Sequence, residues 1–231
     1  MQRFWEKVIK PIMAAHQPKS IVEIGADEGL NTLKLLEYGK QCDAVCHVID
    51  PAPKFEVEWA KEWYGDTFKL YEDLSLNVLP EIEYYDLILI DGDHNWYTVY
   101  HELKQVSEMA EKSGQFPIVL MHDTAWPYGR RDMYYVPETV PQEFRHPCEL
   151  KGIVPGLSGL VAGAANSHLH NADHENGERN GVLTAVEDFM EESSIPLRLH
   201  LLHSNNGFAV LLPVDSHLNP IISFILNTSG M

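Results

Sequence analysis

Asp91-Gly92-Asp93-His94 and Met121-His122-Asp123-Thr124 each follow a short apolar run, Tyr85–Ile90 in the first case and Phe116–Leu120 in the second. Runs this short and this apolar read as strands buried on both faces. Two such strands ending in carboxylates put Asp91, Asp93 and Asp123 on the C-terminal edge of a parallel sheet, where open α/β sheets bind ligands. Clustered carboxylates repel one another, so together they suit a cation cage. A bound cation lowers the pKa of a coordinated hydroxyl and orients it, and a nearby carboxylate or histidine takes the proton. The plainer alternative is that Asp91 and Asp123 cap the helices that follow them. Two adjacent tips together with Asp93 favour the cation site.

A second constellation lies near the N-terminus, at Glu23-Ile24-Gly25-Ala26-Asp27-Glu28-Gly29. Glycine in a strand-to-helix turn lets the backbone approach a ligand and adopt positive φ. The spacing is G-x-x-x-G, not the G-x-G-x-x-G of dinucleotide binders. The acids around the turn disfavour a diphosphate and favour a cation. Asp50 ends another predicted strand, 27 residues after Glu23. A carboxylate at that tip can accept both ribose hydroxyls of a nucleoside.

The elements that position these residues alternate. Strands are predicted at Ser20–Ile24, Ala44–Ile49, Phe68–Tyr71, Tyr85–Ile90 and Phe116–Met121. Helices are predicted at Leu30–Tyr38, Phe55–Tyr64 and Trp96–Lys112, with a short helical turn at Leu76–Leu79. Residues 1–19 read as a helical lead-in interrupted by Pro11. Residues 125–180 are rich in proline, glycine, asparagine and histidine and read as a long irregular insertion covering the sheet edge. A helix at Val182–Glu192 and strands at Leu197–Leu202 and Phe208–Leu212 follow, the strands joined through Asn206-Gly207, a hairpin signal. The expectation is one α/β domain over residues 1–231, with a mostly parallel seven-stranded sheet, helices on both faces and a C-terminal antiparallel hairpin strand.

Composition narrows the function. The formal net charge is −17, from 34 acidic and 17 basic side chains. Such a surface repels phosphate backbones, so no nucleic-acid partner is expected. No apolar run reaches membrane-spanning length and no signal-peptide core is evident, so no membrane partner and a cytoplasmic location are expected. Cys42, Cys46 and Cys148 have no framework spacing and read as free thiols in a reducing compartment.

Glu23-x-Gly25-x-x-x-Gly29 with Asp50 resembles the S-adenosylmethionine site of class I methyltransferases. Ile90-Asp91-Gly92-Asp93-His94-x-x-Tyr97-x-x-Val99-x-x-x-Leu103, with His122-Asp123-Thr124, resembles the metal-dependent O-methyltransferases of the macrocin O-methyltransferase and cephalosporin-hydroxylase-like group (methyltransferase family 24). The resemblance spans residues 20–212. It implies a Rossmann-like class I methyltransferase fold and S-adenosylmethionine bound by Glu23, Gly25, Ala26, Gly29, Asp50, Ser75 and Asp91. It also implies a divalent metal, Mg²⁺ being the expected ion, on Asp91, His122 and Asp123. Asp93 matches the general base, with His94 or His122 as the other candidates. His122 is a departure, because several relatives carry an acid there, and Mg²⁺ prefers oxygen ligands. The implied reaction is O-methylation of a small polyol or sugar. Rival expectations are a hydroxylase-like protein of the same fold, a nucleoside-binding module without turnover, and a zinc hydrolase built on His168, His170 and His174. A polar lid that contacts substrate is the preferred reading of that histidine-rich segment, and Arg130, Arg131, Tyr134 and Tyr135 are candidates for the same pocket. The apolar tail Ile221–Leu226 is expected either to mediate self-association or to pack on the protein's own core.

Overall fold

Alternation along the strands determines how this chain folds. Ile21, Leu87, Leu89, Ile118, Leu120, Phe208 and Val210 share one apolar core. Val22, Ile24, Ile88, Ile90, Val119, Met121 and Ala209 share a second core on the opposite side. Successive residues of a strand point to opposite faces, so strands apolar at every position must be covered on both.

The computed structural model describes all 231 residues. The chain opens with a 3-10 helix at Gln2–Phe4 and a π-helix at Trp5–Ile9, then forms α1 (Lys10–His16), β1 (Ser20–Ile24), α2 (Thr32–Cys42), β2 (Val45–Ile49), α3 (Val57–Tyr64), β3 (Phe68–Tyr71), α4 (Ser75–Val78) and β4 (Leu87–Ile90). It continues through α5 (Trp96–Ser113), β5 (Ile118–His122), β6 (Met133–Tyr134), β7 (Cys148–Glu149), β8 (Gly152–Val154), β9 (Leu157–Val161) and β10 (His170–Ala172). It ends with α6 (Val182–Glu192), β11 (Leu197–Leu202), β12 (Phe208–Pro213) and α7 (Asn219–Thr228). No helix is long and apolar enough to cross a membrane.

The main sheet has seven strands in the order β11-β12-β5-β4-β1-β2-β3. β1 to β5 run parallel, whereas β12 pairs antiparallel with both β5 and β11, as the Asn-Gly hairpin signal predicts. Register then determines the site. Ile49 and Ile90 both pair with Ile24, and Ile90 pairs with Met121. The residues that follow, Asp50, Gly25, Asp91 and His122, therefore emerge side by side at one edge.

Around Pro11 the lead-in divides into two short helical pieces, the π-helix Trp5–Ile9 and α1, with Pro11 in the first turn of α1. α7 buries Ile222 and Leu226 in the first core and leaves Ile221 and Phe224 exposed.

The insertion departs from its expected irregularity. β6, β10 and β7 form a three-stranded sheet, and β8 and β9 form a separate pair. Buried polar side chains organise it in place of a large apolar core. Arg131 is fully buried and donates to the carbonyls of Ala172 and Ser158, both at 2.5 Å. Asn171 Nδ2 donates to the carbonyls of Lys151, Asn166 and Leu169. Asp132, also fully buried, accepts from the backbone N–H of Trp96 and of Gly181, each at 2.7 Å, and from the Tyr134 hydroxyl at 2.8 Å. One carboxylate thus ties the first turns of α5 and α6 to the insertion.

Asp132→Ala leaves those three donors unpaired in a dry interior. Each unmade bond costs about 1–3 kcal/mol, so a loss of about 3 kcal/mol or more is expected in urea unfolding. A loss below about 1 kcal/mol would contradict the role given to Asp132.

Candidate functional site

The strand tips open into a cavity of about 750 Å³. Glu23, Gly25, Ala26, Asp50, Ser75, Asp91, Asp93, His94, His122 and Asp123 all line it. Of the cofactor residues expected from the sequence, only Gly29 stays outside. A Cβ on Gly29 would sit 2.7 Å from Phe55 Cγ, so its bareness makes room for the Phe55 ring. Gly25 has φ +89°, and a Cβ there would collide with the Asp91 carbonyl. Its bareness is what lets the tips of β1 and β4 lie against each other.

Asp50 has two tasks. Its Oδ2 accepts from the backbone N–H of Ala26 at 2.8 Å and of Asp27 at 2.9 Å, and its Oδ1 accepts from Ala52 N–H at 2.8 Å. These bonds shape the glycine turn. Oδ1 keeps acceptor capacity toward the cavity. Glu23 is buried beside it and accepts from Asn31 Nδ2 at 2.8 Å.

The acids and histidines of the two tips meet. His122 Nδ1 lies 2.9 Å from Asp91 Oδ1 and 2.8 Å from Asp123 Oδ2. Its Nε2 lies 3.0 Å from the Asn205 carbonyl oxygen at the hairpin tip. His94 Nε2 is 3.1 Å from the same Asp123 oxygen, yet neither of its ring nitrogens has an aligned hydrogen-bond partner. The His94 ring stacks on Tyr128 at 5.6 Å and is flanked by Tyr135 at 5.9 Å. The Met1 amine takes the other Asp91 oxygen, Oδ2, at 2.5 Å. Asp93 Oδ2 accepts from Thr98 Oγ1 at 2.9 Å. Helix capping does not account for these acids, because Asn95 caps α5, its side chain accepting from Thr98 N–H. Asp123 itself holds φ +57°, an unusual conformation for a residue with a side chain.

Several expected contributors lie elsewhere. Arg130 forms a two-pronged ion pair with Glu187 at 2.5 and 2.7 Å, Arg131 is buried inside the insertion, and the Tyr134 hydroxyl serves Asp132. No residue from His168 to Asn176 lines the cavity, and the histidines there form no metal-binding cluster. The insertion residues that do line the cavity are Tyr135, Val136 and Thr139. Trp96 is buried and stacks on Tyr100 at 4.6 Å, away from the cavity.

A family described as a methyltransferase domain matches residues 22–124. The fold agrees. A methyltransferase from Podospora anserina, PaMTH1, solved with S-adenosylhomocysteine, is similar over 89% of this chain and 77% of its own, with a TM-score of 0.55 at 20% identity. A candidate caffeoyl-CoA O-methyltransferase from Staphylococcus aureus is similar over 89% of this chain and 80% of its own, with a TM-score of 0.51 at 12% identity. The chain thus has the fold of these methyltransferases, and its residues 22–124 resemble the methyltransferase-domain family. No curated protein matches the sequence.

The electrostatics of this cavity follow from its crowding. Burial opposes a charge on His122, but hydrogen bonds to Asp123 and Asp91 outweigh it and lift the imidazole to about 9. Burial likewise works to raise Asp91 and Asp123, and the two histidines overcome it, holding both well below the usual carboxylate range. Burial raises Asp93 above its ordinary value, a direction that suits a proton acceptor. Glu23 is pushed to about 7, chiefly by burial.

Glu102 carries no sequence signal, because it lies on α5 among apolar positions. It is fully buried and accepts from Ser75 Oγ at 2.5 Å, directly behind the cavity wall. Burial lifts its carboxyl from 4.5 to about 8, against the hydrogen bond from Ser75. The folded state thus keeps a proton that the unfolded chain releases, so Glu102 makes stability fall as pH rises between about 5 and 8. Glu102→Gln is expected to flatten that fall, measured as urea unfolding at the two pH values. An unchanged difference between them would contradict the assignment.

Proposed function

We propose that the whole chain, residues 1–231, acts as an S-adenosylmethionine-dependent O-methyltransferase on a hydroxyl of a small polyol or sugar, with the 125–180 insertion on the acceptor side. The observation that carries this reading is the convergence of two groups in one cavity. Glu23, Gly25, Ala26, Asp50 and Ser75 stand at the tips of β1 and β2 and the start of α4, and Asp91, Asp93, His122 and Asp123 at the tips of β4 and β5. The first group suits a nucleoside with a positively charged sulfonium. The second suits a hydroxyl about to lose its proton.

S-adenosylmethionine, held by Glu23, Gly25, Ala26, Asp50 and Ser75, would supply the methyl group to the acceptor oxygen and leave as S-adenosylhomocysteine, while the hydroxyl proton would pass to the Asp93 carboxylate. Thr98 holds one Asp93 oxygen, which fixes the direction of that proton transfer. Asp50 orients the ribose, and Tyr135, Val136 and Thr139 wall the acceptor and restrict water. Holding both reactants in one cavity supplies proximity. The donor atoms of Asp91, His122 and Asp123 lie within 4.8 Å of one another and fit a divalent cation, which would acidify and orient the acceptor hydroxyl when bound. The exposed Ile221 and Phe224 of α7 offer a surface for self-association.

Two variants separate these roles. Asp50→Ala is expected to abolish S-adenosylmethionine binding in calorimetric titration. Asp93→Asn is expected to keep that binding and to lower turnover about 100- to 10,000-fold in a screen of sugar and polyol acceptors. No binding of S-adenosylmethionine by the unsubstituted protein would overturn the reading.

A further inference from the structure

The two nitrogens of His122 face different chemistry. Nε2 meets the Asn205 carbonyl at 3.0 Å, and a carbonyl only accepts, so Nε2 carries a proton. Nδ1 meets only carboxylate oxygens, Asp91 Oδ1 at 2.9 Å and Asp123 Oδ2 at 2.8 Å. A ring nitrogen cannot rest between two anions unless a positive centre lies among the three atoms. A proton meets that need, and so does a metal ion. One ring nitrogen turned toward carboxylates while the other donates to a backbone carbonyl is the posture of a metal-bound histidine. Donor atoms each about 2.1 Å from one ion, at right angles, stand about 3 Å apart, which matches the two separations from Nδ1.

The outer partner is built into the fold. Asn205 and Asn206 hold φ +49° and +70° at the hairpin tip, a conformation asparagine tolerates. The Asn206 carbonyl accepts from Ala125 N–H at 2.8 Å, two residues beyond Asp123. The tip that holds the His122 ring is thus fastened to the strand end that carries the ligands.

The donor set also selects among cations. Mg²⁺ takes near-octahedral oxygen ligands and keeps much of its water. Imidazole nitrogen suits iron, zinc and their neighbours. We propose that His122 Nδ1, Asp91 Oδ1 and Asp123 Oδ2 form a nitrogen-and-oxygen face that binds a first-row transition ion, of the Fe²⁺, Co²⁺ or Zn²⁺ kind, in preference to Mg²⁺. The proposal rests on the methyltransferase reading of this cavity and replaces the Mg²⁺ expected from sequence resemblance.

Titration of the full chain with Co²⁺, followed by its visible absorption and competed with Mg²⁺, tests the proposal. Co²⁺ is expected to bind at least about 100-fold more tightly than Mg²⁺, and His122→Asp to reduce that preference about 10-fold or more. His122→Asn, whose amide oxygen replaces Nδ1, gives the same readout if the first variant does not fold. Mg²⁺ displacing Co²⁺ at comparable concentration, or an unchanged preference in the folded variants, overturns the proposal. S-adenosylmethionine titration of the same samples separates the two failures. Cofactor binding without Co²⁺ preference removes the metal assignment alone, whereas absent cofactor binding removes the methyltransferase reading with it.

Discussion

Two carboxylates at the tips of neighbouring parallel strands cannot sit together in a partly buried cavity without positive charge between them. Asp91 and Asp123 are held in that position by the register of β4 and β5, and His122 stands between their oxygens. Most of the local structure serves this arrangement. Gly25 gives up a side chain so that the β1 tip can lie against Asp91. Asp123 adopts a left-handed backbone. The β11–β12 hairpin, some eighty residues further along, sends a carbonyl back to fix the imidazole.

A second constraint acts at a distance from the chemistry. The loop carrying Asp91, Asp93 and His94 runs straight into α5, so the position of that helix sets the position of the loop. Asp132 gathers the N–H of Trp96 in α5 and of Gly181 before α6 onto one buried carboxylate. Rigid support of this kind is what a site needs if its reacting groups are to be held to within a fraction of an ångström. The insertion therefore does more than cover the cavity. It clamps two helices and presents Tyr135 to it.

The sheet and the strand tips were legible in the sequence because they obey simple periodicities. Apolar runs ending in Asp50, Asp91 and His122-Asp123 reveal both a strand and the edge at which it stops. The insertion was not legible, for a physical reason. Its interior is held by Arg131, Asp132, Asn171 and Asn180, residue types that hydrophobic patterning assigns to the surface. The same blindness hid Glu102, a carboxyl buried on the apolar side of α5. His168, His170 and His174 have residue types that suggest a metal, but their positions do not converge. At Gly29 the turn is legible in the sequence, and the space the missing side chain leaves is filled by Phe55.

The central claim is that the edge formed by β1, β2, β4 and β5 binds S-adenosylmethionine with its sulfur turned toward the Asp91–His122–Asp123 cluster. A crystal structure of the protein grown with S-adenosylhomocysteine tests this most directly. The account predicts ribose hydroxyls within hydrogen-bonding distance of Asp50, the adenine beside Ser75 and the sulfur facing the cluster. Density for the nucleoside at any other place on the molecule, with this cavity holding only water, would contradict it.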